Sequence, residues 1–248
     1  VMAFSMLVGI GSAATISIRL GQNKKSEAEN ILGNALILLI IVGIIVTFLG
    51  LVFLEPMLIS FGATNNTIEY AKQFIVILLA GSIFQVIGFG LNNIIRSEGN
   101  PKKAMSTMLV GAVSNIILDF IFIYILKFGI RGAAVATVIS QAINMLWVLY
   151  YFFKGNSMLK IRKHNLFLKK DLVMSIFSIG MAPFAMQIAA SLVNIILNRS
   201  LGIYGGDLAI GAMGIINGIA TIVLMPIFGI NQGSQPIIGF NYGAKLYS

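Results

Sequence analysis

The chain has 248 residues, 58% hydrophobic and only 10% charged, with a mean hydropathy of +0.94 and a formal net charge of +9. Soluble domains carry roughly 25% charged residues, and several apolar runs here exceed the roughly 20 residues that cross a bilayer. A single water-soluble core is therefore excluded. With no cysteine, so are disulfides and thiolate metal sites. The chain starts inside an apolar run at Val1 and stops at Ser248 without a polar tail, so it reads as a piece of a longer protein.

Seven apolar segments follow in order: 2–19, 31–54, 72–95, 104–126, 132–153, 172–198 and 208–238. An all-α, polytopic helix bundle is expected. The connections alternate in charge. Arg19, Lys24 and Lys25 close the first span, and the connection from Glu55 to Thr67 has no Lys or Arg. Arg96, Lys102 and Lys103 fill the third connection. The fifth carries Lys154, Lys160, Arg162, Lys163, Lys169 and Lys170, and Lys245 follows the last span. Only Lys72, Lys127, Arg131 and Arg199 fall on the opposite side. Cytoplasmic loops carry the excess of Lys and Arg, so Val1 starts outside and Ser248 ends inside. The net charge then reflects membrane topology, and nucleic acid is not an expected partner.

The basic connection 154–171 separates five spans from two. Its Leu159, Ile161, Leu166, Phe167 and Leu168 are interleaved with cations. Two readings stand: a segment lying on the anionic inner leaflet, or a solvated linker that sets topology. His164, the only histidine, is expected to face solvent there.

Asp119 is the one acidic residue deep within an apolar segment. A carboxylate at the centre of a membrane helix costs roughly 2.5–3.5 kcal/mol on insertion scales, so an ionisable group there marks an ion or substrate path. Asn115 lies four residues earlier, on the same helical face. Thr137 sits at similar depth on the next span, roughly 9–12 Å in from the outer end at about 1.5 Å per residue. Carboxylate, amide and hydroxyl oxygens suit a hard cation. Burial that favours a protonated Asp is the alternative, and so is a plain polar cluster between helices.

A shift of 222 residues aligns Gly11 with Gly233, Ser12 with Ser234, Ile16 with Ile238 and Gly21 with Gly243. The two segments are an even number of spans apart, so a repeat of this kind is parallel, with its axis along the membrane normal. Transporters built from two such halves bind substrate between them.

Three stretches resemble one family. They are Arg96-Ser97-Glu98-Gly99-Asn100-Pro101-Lys102-Lys103-Ala104-Met105, then Asn115-Ile116-Ile117-Leu118-Asp119, then Gln235-Pro236-Ile237-Ile238-Gly239-Phe240-Asn241-Tyr242-Gly243-Ala244. They are similar to multidrug and toxic compound extrusion (MATE) transporters. The resemblance implies a twelve-helix, two-lobe fold, of which this chain holds about helices 2 to 8. Residues 1–153 would be N-lobe helices 2–6, 154–171 a cytoplasmic inter-lobe loop, and 172–248 the start of the C-lobe, helices 7–8. It further implies a monomer in the bacterial plasma membrane, exporting drugs or toxic organic cations against Na+ or H+, with no other cofactor and no enzymatic step. In one branch of the family, a cation site matches Asn115, Asp119 and Thr137. Many relatives have proline straight after that Asp. Here Phe120 restores a backbone donor and removes a kink. A lipid-linked oligosaccharide flippase of related fold is the alternative, but the span interiors lack the Lys and Arg that a pyrophosphate needs.

Gln141, Asn144, Met181, Met186 and Gln187 are candidates for a substrate cavity. The methionines supply an adaptable apolar wall, and Pro183 is expected to bend their helix. Gln85, Asn92, Asn93, Asn194, Gln232 and Gln235 are weaker candidates that equally suit bonds between helices. The chain carries no phosphate loop, zinc spacing or nucleophile–base pair.

The orientation is testable with single cysteines in this cysteine-free chain. A cysteine at Gly205 should react with an impermeant thiol reagent from outside. Cysteines at Asn23 and Asn100 should react only after permeabilisation. Labelling of position 23 in intact cells would reverse the assignment.

Overall fold

The computed structural model describes residues 1–61 and 67–246, and every regular element among them is helical. Helix α1 spans Met2–Gly21, α2 Lys25–Val52 and the short α3 Leu54–Ser60. Then come α4, Ile68–Ala80, and α5, Ser82–Ser97. Helix α6, Pro101–Asp119, runs into a π-helical turn, Phe120–Ile125, and α7 spans Gly129–Phe153. A last helical run, Lys170–Gly243, is broken at Gly206, whose φ of 65° and ψ of −168° leave helical space. It therefore counts as α8, Lys170–Gly206, and α9, Leu208–Gly243. The basin at φ near 65° is one that only glycine enters cheaply.

Each expected apolar segment becomes a helix long enough to span a bilayer, once α4 and α5 are counted together. Those two meet at 53°. The bend falls at Gly81-Ser82, a residue pair that commonly kinks helices. A Cβ at position 81 would sit 2.5 Å from the Val138 side chain of α7, so the bend is also where α7 presses in. Beside it the Ser82 and Thr47 hydroxyls are 2.8 Å apart. The sequence marked this as one straight span, because the break costs no hydrophobicity. Of the connection Glu55 to Thr67, α3 was not anticipated, and residues 62–66 lie outside the described residues.

Helix α1 is central. It packs against α2, α5 and the last two helices, and its contacts with those two are backbone on backbone. A Cβ on Gly11 would run into the Ile176 carbonyl oxygen of α8, and one on Gly180 into the Leu7 carbonyl oxygen of α1. At the inner end, Gly21 lies against the Phe240 carbonyl and Gly243 against the Ile18 carbonyl. The shift of 222 converts Gly21 into Gly243 and Ile18 into Phe240, so the two contacts are equivalents of each other. It also converts Ser17 into Gly239, and a Cβ at 239 would lie 2.9 Å from the Ser17 Cβ. Residue i on j with j on i is the signature of a two-fold relation. The internal repeat is thus written into the packing, with its axis passing between Ser17 and Gly239.

The contacts of Gly21 and Gly243 occupy the ends of the helices that carry the positive charge, and contact of α1 with α8 continues along α1 to the Phe4–Phe184 ring pair. Further along α9, Gly211, Gly214, Gly218 and Gly229 have nothing within 4 Å of a built Cβ.

The connection 154–169 is neither solvated nor laid on the membrane along its length. Leu159 and Ile161 are buried in the same core cluster as Ile31, Leu91 and Phe152. Three polar side chains hold its backbone. Glu98 Oε2 accepts from the Ser157 hydroxyl at 2.7 Å and the Met158 and Leu159 amides at 3.1 and 3.3 Å. Glu29 Oε1 accepts from the Lys160 amide at 3.3 Å. Asn34 accepts from the Lys169 amide at 2.7 Å and donates to the Phe167 carbonyl at 3.1 Å. Only Met158, Phe167 and Leu168 of its large apolar side chains stay exposed. His164 is exposed, as expected.

Glu98 is 6% exposed, and burial pushes its carboxyl above the ordinary 4.5. Hydrogen bonds from Ser157 and the two amides, with the nearby Tyr151 hydroxyl, offset part of that. The docked state holds the Glu98 proton more tightly than a released one. Docking is therefore strongest below 4.5, weakens as pH rises from 4.5 to the raised value, and then levels off. Hydrogen exchange at Met158 and Leu159, corrected for its intrinsic pH dependence, should speed up across that window. Glu98→Gln, which stays neutral, should give flat protection. Equal pH profiles in both proteins would uncouple Glu98 from the docking.

Candidate functional site

Asn115 and Asp119 occupy successive turns of α6, and Thr137 of α7 faces the same cavity as Asn115. Asn100 starts α6 by accepting the Lys103 amide at 3.3 Å, with Pro101 at the first helical position. That start fixes the rotation of the helix and hence the face on which positions 108, 111, 112 and 115 lie. Without a proline, the Phe120 amide donates to the Ile116 and Ile117 carbonyls, and the helix runs past Asp119 unbroken. It then widens. The Leu126 amide reaches back to the Ile121 carbonyl at 2.9 Å and the Phe128 amide to Phe122 at 3.0 Å. A π turn inside an α-helix is an irregularity often found at functional sites. Here it begins at the residue after the carboxylate.

A cavity of about 260 Å³ lies between α6 and α7, lined by Met108, Gly111, Ala112, Asn115, Thr137, Ser140, Gln141 and Asn144. A second, of about 170 Å³, shares Met108, Gln141 and Asn144 and adds Gln85 and Asn92 of α5. The structure so brings together Asn115, Thr137, Gln141 and Asn144. Asp119 is half-buried one turn nearer the outer end and is not among the lining residues.

The polar atoms divide into satisfied and orphaned. Asn92 donates to the Ala104 carbonyl at 2.9 Å and the Thr107 hydroxyl at 2.6 Å, and so ties α5 to α6. The Thr137 hydroxyl donates to the Ala133 carbonyl at 2.9 Å, one turn back on its own helix, and keeps its lone pairs for another partner. Asn115 Nδ2, Asp119 Oδ1 and Asn144 Oδ1 are buried with no hydrogen-bond partner. Each such atom costs about 1–3 kcal/mol when left unmet. Three of them on one seam describe a place completed by something other than this chain's side chains. The set offers one carboxylate, and no cluster of three or more His, Cys, Asp or Glu stands among the described residues. That donor chemistry fits a monovalent ion or a proton better than a divalent metal.

Met181, Met186 and Gln187 are not brought to this seam. They lie on α8, and none lines a cavity with Gln141 or Asn144. Met186 is 74% exposed and Met181 49%. The reason is geometric. Contact of α8 with α1 runs from Ile176 through Gly180 to the edge-on pair Phe4–Phe184, with ring centroids 5.1 Å apart, and Met186 and Gln187 lie beyond it. Pro183 lies within the helical run, which continues through it. Ser140 was missed by the sequence reading. Its spacing of three from Thr137 was the available signal.

Comparison with known proteins places the fold. The MatE family model matches residues 1–121 and 182–248. The multidrug export protein MepA of Staphylococcus haemolyticus is 29% identical over 241 residues, covering 97% of this chain and 53% of the relative. MepA of Staphylococcus aureus is 29% identical over 248 residues, covering 98% and 54%. The chain so spans about half the length of the curated relatives it matches. A multidrug resistance MATE family transporter of the MOP superfamily, solved in an outward-facing conformation, superposes with a TM-score of 0.90 at 29% identity, covering 99% of this chain and 55% of that one. An inward-facing conformation gives 0.84 at 28% identity, covering 97% and 53%.

Proposed function

The chain belongs to the MATE family of membrane transporters and is a multi-pass protein of the bacterial plasma membrane, and from that premise we propose that the complete protein is a cation-coupled antiporter exporting amphipathic, cationic small molecules. Its staphylococcal relatives are multidrug export proteins, and drugs are accordingly the substrates of this reading.

The observation that carries the reading is the seam between α6 and α7. Asp119 offers a carboxylate oxygen with no internal partner, one turn from the unpaired Asn115 amide. Thr137 faces the same cavity as Asn115. A sodium ion or a proton arriving from the outer side meets this set about six residues in from Ile125, about 9 Å at 1.5 Å per residue. Occupancy of the site shifts the protein between inward- and outward-open states only as far as the ion binds one state better than the other. Drug binding competes through the same equilibrium.

Gln141 and Asn144 form the proposed polar wall of the drug path in the first five spans. Met181, Met186 and Gln187 contribute to that path only in a state that draws α8 towards α7. The flippase alternative is set aside, because no Lys or Arg lines either cavity of the seam to hold a pyrophosphate.

The test uses the full-length protein in proteoliposomes. Asp119→Asn keeps the shape and removes the charge, so gradient-driven efflux should be lost while insertion and expression stay normal. Asn115→Ala and Thr137→Ala each remove a neutral ligand worth about 1 kcal/mol, so each should weaken the ion dependence about fivefold. Sodium coupling shows as efflux that saturates with sodium at fixed pH, and proton coupling as efflux driven by a pH gradient in sodium-free buffer. Full efflux by a normally expressed Asp119→Asn protein would make the residue structural.

A further inference from the structure

At the inner ends of α6 and α7, away from the seam described above, lies a cavity of about 420 Å³ whose chemistry is anion-binding. Lys103 and Lys154 both line it, with Trp147, Tyr150 and Asn156. The Lys103 ammonium sits over the Trp147 ring, 5.6 Å from its centroid. Such a contact orients a cation and leaves its charge uncompensated. Neither ammonium has an acidic partner among the described residues. The acids that pair with cations do so elsewhere: Glu27 with Arg19 and Lys24, Glu29 with Arg162, Glu55 with Lys72. Glu98, the nearest acid in sequence, is buried under the 157–159 backbone.

The place of the cavity selects the kind of anion. Lys103 is in the first turn of α6 and Lys154 follows the last residue of α7, so both lie at the inner water–lipid boundary. Trp147 is the chain's only tryptophan, and Trp and Tyr gather at that boundary. Directly above, one turn from Tyr150 on the same face of α7, Leu146 is apolar and exposed. A cationic pocket at headgroup level under an apolar wall is the form of a phospholipid site. The basic linker does not match it: the Lys160 ammonium is spent on the Gly155 carbonyl, and Arg162 leans on Glu29.

We propose that this cavity binds the headgroup of one anionic phospholipid of the inner leaflet. The phosphate lies between Lys103 and Lys154, Tyr150 and Asn156 supply hydrogen bonds, and an acyl chain runs up the exposed face of α7 past Leu146. The site is independent of the transport reading.

The test is a lipid-binding titration on the full-length protein, purified in detergent and mixed with phosphatidylglycerol against a phosphatidylcholine background. Bound lipid is counted on the intact complex by mass. The wild-type protein should retain one phosphatidylglycerol and exchange phosphatidylcholine freely. Lys103→Gln with Lys154→Gln should weaken that retention about thirtyfold, as expected for two lysines near a charged headgroup. Lys169→Gln with Lys170→Gln removes the same charge from the linker and should change retention less than twofold. Thermal melting in zwitterionic lipid should be equal for all three proteins, which excludes misfolding as the cause. Equal retention by the Lys103/Lys154 variant, or equal loss in the Lys169/Lys170 variant, would overturn the site. Displacement of the lipid by millimolar inorganic phosphate would reassign it to a free anion and also overturn the proposal.

Discussion

The arrangement depends on how closely α1 approaches α8 and α9. Helices usually pack with axes 8–10 Å apart, a distance set by the side chains between them. Here glycine removes those side chains at Gly11, Gly180, Gly21 and Gly243, and carbonyl oxygens of one helix fill the space over the other. Close carbonyl–Cα approach of this kind adds weak C–H···O contacts and extensive dispersion. Any side chain at those positions pushes backbone against backbone, and no rotamer relieves it. The contact is also the point where the two halves of the internal repeat meet, since Gly21 on Phe240 and Gly243 on Ile18 are one interaction used twice. A two-fold contact of small residues has no interlocked side chains to tear apart when it tilts.

The docked linker decides what moves with what. A tether of 16 residues in water would leave α8 free of the first five spans. Instead Glu98, Glu29 and Asn34 bind its backbone, and Leu159 and Ile161 sit in the core of α2, α5 and α7. The linker therefore belongs mechanically to the first five spans up to Lys169. That residue is extended, with φ −109° and ψ 120°, and precedes α8 directly. Rotation of α8 has to be absorbed there and at the glycine contact with α1.

Much of this was legible in the sequence, and the limits are physical. Spans follow from apolar length, because an unsatisfied backbone in lipid is too costly for anything but a helix. The repeat was visible as four small or branched residues at one spacing, and at one pair of them, Gly21 and Gly243, close packing demands glycine at both copies. The bend at Gly81 was not visible, as a break between two apolar helices leaves hydropathy unchanged. The linker was misread for a different reason. Its lysines and leucines look like a surface segment, and what holds its backbone is polar side chains 59 to 135 residues away. Glu29 and Glu98 looked like loop acids. Their role appears only when the chain is folded, because they bind backbone amides, which carry no sequence signature.

The candidate ion site shows the same division. Asp119 declared itself because a carboxylate in an apolar span is expensive, and Asn115 by its spacing of four. That Asp119 sits one turn outside the cavity shared by Asn115 and Thr137 was not readable, since it follows from how α6 ends. A missing proline restores the Phe120 amide to the helix, yet regular geometry lasts only to Asp119 before hydrogen bonds lengthen to the π pattern. The Phe120 and Tyr124 rings stack at 5.3 Å on the exposed face of that turn. Bonds to carbonyls five residues back set each following side chain at a different angle from an α-helical one. The carboxylate is thus the last side chain whose direction the α6 lattice fixes. A group at such a boundary swings by a change in the turn after it, without disturbing Asn92 or the inner end of α6. A ligand shifts two states only through its differential affinity for them, and a carboxylate at the edge of the regular helix is a group whose position a change in the next turn would alter.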